Sequence, residues 1–171
     1  MELLEGLLTR RSVRRYSDRP VSRETISDIL RHAMYAPSAK NTRPWHFLPT
    51  QDRRILDGIM AAHPFAKMLA YAQWAIIVYG DSQAADTPEY LPVDCAAATQ
   101  TLLLAAHGHG LGAVWLGIYP RQDRMDAIRR LVPIPDHIVP FAVVSVGYPG
   151  RDYNEQPDRF EPEKIHWDEQ W

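Results

Sequence analysis

The sequence predicts one domain that combines helices with three or four strands, in an α+β or α/β arrangement. Three observations lead there. The runs Trp74–Tyr79 and Phe141–Gly147 are continuously apolar and rich in β-branched residues, as expected of strands covered on both faces. Four other stretches space their apolar residues as amphipathic helices do. A long run from Pro92 to about His107 is apolar on nearly every side, the mark of a buried helix. A length of 171 residues and a mass of 19.6 kDa suit a single domain spanning 1–171.

Each element has its own signals. Glu2–Thr9 puts Leu3, Leu4, Leu7 and Leu8 at helical spacing, giving a short amphipathic helix that leads into Arg10-Arg11-Ser12-Val13-Arg14-Arg15. Pro20 breaks the chain, and Ser22 caps a helix with Glu24 in its first turn. Ile26, Ile29, Leu30, Ala33 and Met34 form that helix's inward face, and Pro37 ends it. Pro37 and Pro44 bracket small polar residues, an ordered turn with donors to offer. Trp45–Pro49 reads as a strand. Asp52–His63 reads as a helix with Ile55, Leu56, Ile59 and Met60 inward, stopped by Pro64. Gly80–Leu91 is a polar loop before the apolar helix, which either forms the centre of the domain or packs on a second subunit. Ala113–Gly117 is a short buried strand and Arg121–Leu131 an amphipathic helix. The tail, about 150–171, is charged yet carries Tyr153, Phe160, Ile165, Trp167 and Trp171. Those aromatics have no obvious place in the chain's own core, and a partner subunit would bury them.

Composition excludes several functions. Hydrophobic residues make up 46% and charged residues 23%, which is the balance of a folded globular protein. The net charge of -2 argues against a nucleic-acid binder. Glu2 and Glu5 without a long apolar run rule out an ordinary secretory signal, and no stretch is apolar enough to cross a bilayer. The expected location is cytoplasmic. One cysteine, Cys95, allows neither an internal disulfide nor a multi-cysteine metal site.

The arginine run sets four guanidinium groups and a hydroxyl within six residues, forked donors that match phosphate oxygens, although a solvated surface patch has the same composition. Gly108, Gly110 and Gly112 follow a helix and precede a strand, the reverse of a dinucleotide fingerprint. His107-Gly108-His109 hints at a metal, but no carboxylate or third histidine lies near it in sequence, so no metal ligand is assigned. Cys95 falls inside the apolar helix, where a thiol is usually inert packing. No side chain stands out as a nucleophile or general base. A bound cofactor is therefore the expected reactive group.

Several motifs coincide in order. Arg10-Arg11-Ser12-Val13-Arg14-Arg15-Tyr16, Pro37–Trp45, Gly110–Gly117 and Gly147-Tyr148-Pro149 together resemble the successive signatures of the nitroreductase family. Ala62–Leu69, Asp158-Arg159-Phe160 and Ile165-His166-Trp167 are similar to its short single-domain bacterial members. The resemblance implies an α+β, FMN-binding fold with a central, mostly antiparallel sheet flanked by helices, in an intertwined homodimer. It implies that Arg10, Ser12 and Arg14, with Arg11 beside them and Arg159 from the tail, take the FMN phosphate and ribityl chain. Pro37, Ser38, Ala39 and Asn41 would approach the flavin from the other subunit, with Leu116 and Gly117 behind its ring and Lys67 reaching the ring or ribityl chain. The implied reaction is ping-pong hydride transfer from NADH or NADPH to FMN, and on to a nitroaromatic, quinone or similar small acceptor. Alternatives are a flavin-destroying or dehalogenating relative, or a non-catalytic anion- or RNA-binding module. Many members of the family carry glutamine where this chain has Arg43.

Overall fold

Ala75, Ile76, Ile77 and Val78 are fully buried, as are Ala142, Val143, Val144 and Val146. They form the central pair of a four-stranded sheet in the computed structural model, which describes residues 2–153 and 156–168. Strands β1 (Trp45–Thr50), β2 (Trp74–Asp81), β3 (Gly112–Gly117) and β4 (Ile138–Gly147) lie in the order β1-β2-β4-β3, every neighbouring pair antiparallel. The helices are α1 (Leu3–Thr9), α2 (Arg23–Ala33), α3 (Arg53–Ala62), α4 (Tyr90–Gly108) and α5 (Gln122–Leu131). Alternate strand residues serve two cores. Ala75, Ile77 and Val143 pack with Leu56 and Ile59 of α3 and Ile128 of α5. Ile76, Val144 and Val146 pack with Ile29 of α2 and Leu102 of α4. The unbroken apolar runs thus report helices on both faces, and the sheet itself is antiparallel, so the arrangement is α+β.

Local signals set most boundaries. Ser22 Oγ accepts from the Thr25 N–H at 3.1 Å, and an Asp52 carboxylate oxygen accepts from the Arg54 N–H at 2.9 Å, capping α2 and α3. Two expectations change. Met34 lies one residue past α2 as its C-cap and is exposed, so it leaves the buried face. Helix α4 starts at Tyr90, which takes Tyr90 and Leu91 out of the preceding loop. Leu3, Leu4, Leu7 and Leu8 are all exposed, and Gly6 is the buried residue of α1. The amphipathic helix expected there thus has no core of its own to face. Val93 of α4 and Phe160, Ile165 and Trp167 of the tail are exposed as well. Trp171 lies outside the described residues.

The arm after α1 is stitched to the sheet. The Val13 N–H donates to the Ala113 carbonyl at 3.0 Å, and Ser12 pairs with Ala113 in a parallel bridge. The Tyr16 hydroxyl bonds Ser145 Oγ at 2.6 Å, and the Gly150 N–H donates to the Arg15 carbonyl at 2.9 Å. Val13 can seat itself only because residue 112 has no side chain: a Cβ there would come within 2.4 Å of a Val13 methyl. Gly112→Ala should therefore cost roughly 1–3 kcal/mol, the range for overpacking, and loosen the arm. Chemical denaturation and limited proteolysis after Arg14 or Arg15 measure both, and an arm as resistant as the wild type's would contradict the seating.

Candidate functional site

Arg10 caps α1, its N–H donating to the Gly6 carbonyl. Beyond it the chain is extended, so successive side chains alternate. Val13 is buried, which leaves Ser12 and Arg14 exposed on the opposite side. Arg11 is half-buried, its guanidinium carbon 4.7 Å from the centre of the Tyr153 ring, with Arg151 at 5.0 Å from the same ring. The tail comes back to Arg10. Gln156 donates to the Arg10 carbonyl at 3.4 Å and accepts from Arg159 Nη2 at 2.7 Å. A cleft of about 390 Å³ opens between Leu7, Leu8, Arg10 and Arg159. The arginine run is thus held on a strand edge and met by a tail arginine, which makes it a structured cluster of donors suited to a compact anion.

The far end of β3 is open. A Cβ at Gly117 would meet nothing within 4 Å, so a flat group can lie against that backbone. The Leu116 side chain is buried in the core, and only its backbone is available there. The Gly117 carbonyl accepts from Arg124 Nη1 at 2.7 Å and from His63 Nε2 at 3.1 Å. The Phe65 N–H donates to His63 Nδ1 at 3.2 Å, so the imidazole proton sits on Nε2. Burial and the Arg124 guanidinium hold His63 below the usual histidine range, which keeps the ring neutral. Lys67 is exposed at the start of the 3₁₀ turn Lys67–Ala70, on the segment that leads on from His63.

Pro37, Ser38, Ala39 and Asn41 lie on a strained turn. Lys40, Asn41 and Arg43 have φ of 47°, 56° and 49°, three non-glycine residues in the left-handed region within four positions. Ser38 Oγ accepts from the Arg43 N–H at 2.9 Å, and Asp94 Oδ1 accepts from the Ala39 N–H at 2.9 Å. Asp94 is buried in α4, and its other oxygen has no hydrogen-bond partner. The arm meets α4 near its other end, where His107 Nε2 lies 2.8 Å from Thr9 Oγ1. Between Asp94 and His107 the helix rises roughly 20 Å. Within one chain the turn and the arginines therefore stand at opposite ends of α4.

Three positioning residues escape sequence reading. His63 and Arg124 meet only in the fold and carry no local signal. Asp94 does carry one, as a lone acid in an apolar helix. Cys95 behaves as expected: it is fully buried, and burial pushes its thiol up to about 12. The fold adds to His109 what its sequence neighbourhood lacks. Helix α2 brings a carboxylate and a third histidine to it, with Asp28 Oδ2 2.9 Å from His109 Nε2 and His32 alongside. The sequence separation of Asp28 from His109 hid this.

The profile of the Nitroreductase family matches residues 7–63 and 53–148. The chain belongs to the nitroreductase family. A proposed NADH dehydrogenase/NAD(P)H nitroreductase of Methanothermobacter thermautotrophicus is 47% identical over 171 residues, 100% of this chain and 88% of that protein. A crystal structure of a protein with the same proposed activity from Parabacteroides distasonis superposes with a TM-score of 0.93 at 42% identity, covering 99% of this chain and 98% of that one. A proposed nitroreductase of Desulfovibrio desulfuricans, solved in complex with FMN, gives 0.83 at 30% identity, covering 100% and 98%.

The depressed His63 value makes stability depend on pH. Below the ordinary histidine value of 6.5, the unfolded chain holds a proton that folded His63 does not. This histidine therefore costs no stability above that value and lowers stability as pH falls below it. His107, depressed by burial and Arg10, acts in the same direction. Denaturation at about pH 7.5 and about pH 5.5 should show the wild type losing stability on acidification. His63→Gln should lose less; an equal loss in the variant would remove His63 from the account.

Proposed function

We propose that this protein is an FMN-dependent NAD(P)H oxidoreductase that works as a homodimer on nitroaromatics, quinones or similar small electron-poor acceptors. The observation that carries the reading is the layout of β3. Forked donors suited to a phosphate dock at Ala113, and an open backbone face suited to a planar ring lies at Gly117. Four residues of strand separate them, roughly 13 Å. An elongated molecule with a phosphate at one end and a flat ring at the other fits that spacing. No described side chain in this region is an activated nucleophile, which agrees with a cofactor-borne reaction.

Arg10, Ser12 and Arg14, with Arg11 and Arg159, bind the phosphate and ribityl chain. The Leu116–Gly117 backbone lies behind the ring, steadied by the two donors on the Gly117 carbonyl, and Lys67 approaches from the adjacent turn. When bound, FMN supplies the two-electron chemistry, taking a hydride from NADH or NADPH and passing electrons to the acceptor. Pro37, Ser38, Ala39 and Asn41 reach the flavin of the partner subunit, since their own chain's arginines stand at the far end of α4. The leucines of α1, Val93 and the tail aromatics supply the apolar surface that such a dimer buries, the tail lying along the partner.

The purified protein should be yellow and should keep its flavin through desalting. Arg10→Ala and Arg14→Ala should each lower retained flavin about tenfold, the loss of one charge-assisted contact. Unchanged flavin in both variants would contradict their role. With NADH or NADPH and a quinone, steady turnover is expected; loss of the flavin's own absorbance under oxygen would point to a flavin-destroying reaction instead. Leu4→Glu combined with Leu8→Glu should shift sedimentation from dimer to monomer and release flavin, and a stable dimer in that variant would remove α1 from the interface.

A further inference from the structure

The His-Gly-His stretch has no part in the flavin reading. Its first histidine joins α1 to α4 through Thr9. Its second points elsewhere. His109, the C-cap of α4, meets Asp28 and His32, which sit one turn apart on α2. His109 Nε2 is 2.9 Å from Asp28 Oδ2, and His32 Nδ1 is 3.5 Å from the same oxygen. One ligating atom from each residue lies within 4.8 Å of the other two. The two rings stand edge to face, their centres 6.5 Å apart.

We propose that Asp28, His32 and His109 form a site for a first-row divalent cation of the zinc type, clasping α2 to the end of α4. The donor set is two imidazoles and one carboxylate, the mixture that borderline cations such as Zn²⁺ take and that Mg²⁺ and Ca²⁺ do not favour. Bonds of about 2.0–2.2 Å to each ligand put tetrahedral donors a little over 3 Å apart, and the two spacings to Asp28 Oδ2 bracket that figure. Three protein ligands leave the fourth position to water. The ion has two hydrogen bonds to displace: His109 Nε2 gives up its bond to Asp28 Oδ2 at 2.9 Å, and His32 Nδ1 faces the Asp28 backbone carbonyl at 2.8 Å. Either the ion takes that nitrogen, or the ring turns to offer Nε2, and a side chain that is 58% exposed has the freedom to do so. Two of the ligands come from one helix turn and the third from a helix end packed beside it, so little ordering is needed on binding. The expected affinity is micromolar, not that of a closed four-ligand structural centre.

The site shares no residue with the proposed flavin site, so its test does not depend on the flavin reading. Full-length protein without a histidine tag, stripped with chelator, is titrated with Zn²⁺ in a calorimeter. One equivalent per chain should bind, and melting temperature should rise with Zn²⁺ but not with Mg²⁺. Asp28→Asn, His32→Ala and His109→Ala should each weaken binding at least tenfold, while His107→Ala should bind as the wild type does. All three substitutions are at exposed or half-exposed positions, and far-UV circular dichroism confirms that the variants are folded. Wild-type protein that takes up no Zn²⁺ at about 100 micromolar, or His32→Ala and His109→Ala variants that bind as tightly as the wild type, would overturn the proposal.

Discussion

The Val13 N–H that donates to the Ala113 carbonyl is the contact on which the candidate site depends. The outer edge of β3 is a row of unpaired backbone groups, a place where another strand can add. Here the chain's own N-terminal arm uses it. Because an extended segment alternates, pairing there buries Val13 and turns Ser12 and Arg14 outward together. Glycine at 112 lets the arm approach closely, and Tyr16 and the Arg15 carbonyl fasten it to the end of β4. A flexible run of arginines becomes a fixed set of donors through backbone geometry, with no dedicated domain.

Helix α4 imposes the second constraint. It carries Asp94 near one end, holding the Ala39 N–H, and His107 near the other, holding Thr9. The turn from Pro37 and the arginine arm are thereby kept apart within one chain. The left-handed backbone at Lys40, Asn41 and Arg43 is costly, and such strain persists where surrounding contacts over-determine it. Asp94 and Ser38 supply those contacts. A buried carboxylate is expensive to keep, so its use as a tether for one loop N–H indicates how closely that turn must be held.

Much of the fold was legible because its signals are local. Ser22 and Asp52 announce helix starts, and the runs Trp74–Tyr79 and Phe141–Gly147 announce strands buried on both faces. What stayed hidden depends on contacts between distant parts of the chain. The unbroken apolar strands record burial but not direction, which is why α+β and α/β could not be separated from the residues alone. The leucines of α1 have the spacing of a core-facing helix, yet the core is elsewhere and they are exposed. Periodicity reports that a face is apolar, not what covers it. Asp28 and His109 stand far apart in sequence and meet only because α2 packs on α4, a pairing that no motif records.

The clamp on Gly117 shows how a neutral histidine and an arginine share a task that neither a pair of cations nor a pair of neutral groups would do as well. One carbonyl has two lone pairs, and Arg124 and His63 each take one. Arg124 brings the charge. Burial is the first cause that pulls the histidine's value down, and the second is that a protonated His63 would set another cation 3.0 Å from the guanidinium. The neutral ring still donates, because the Phe65 N–H occupies Nδ1 and leaves the proton on Nε2. Both donors approach the carbonyl oxygen, while the position of the missing side chain at Gly117 stays clear. The strand end is therefore fixed through its oxygen while room is left for a ligand against its backbone. A site that must hold a flat group against bare peptide needs both properties at once.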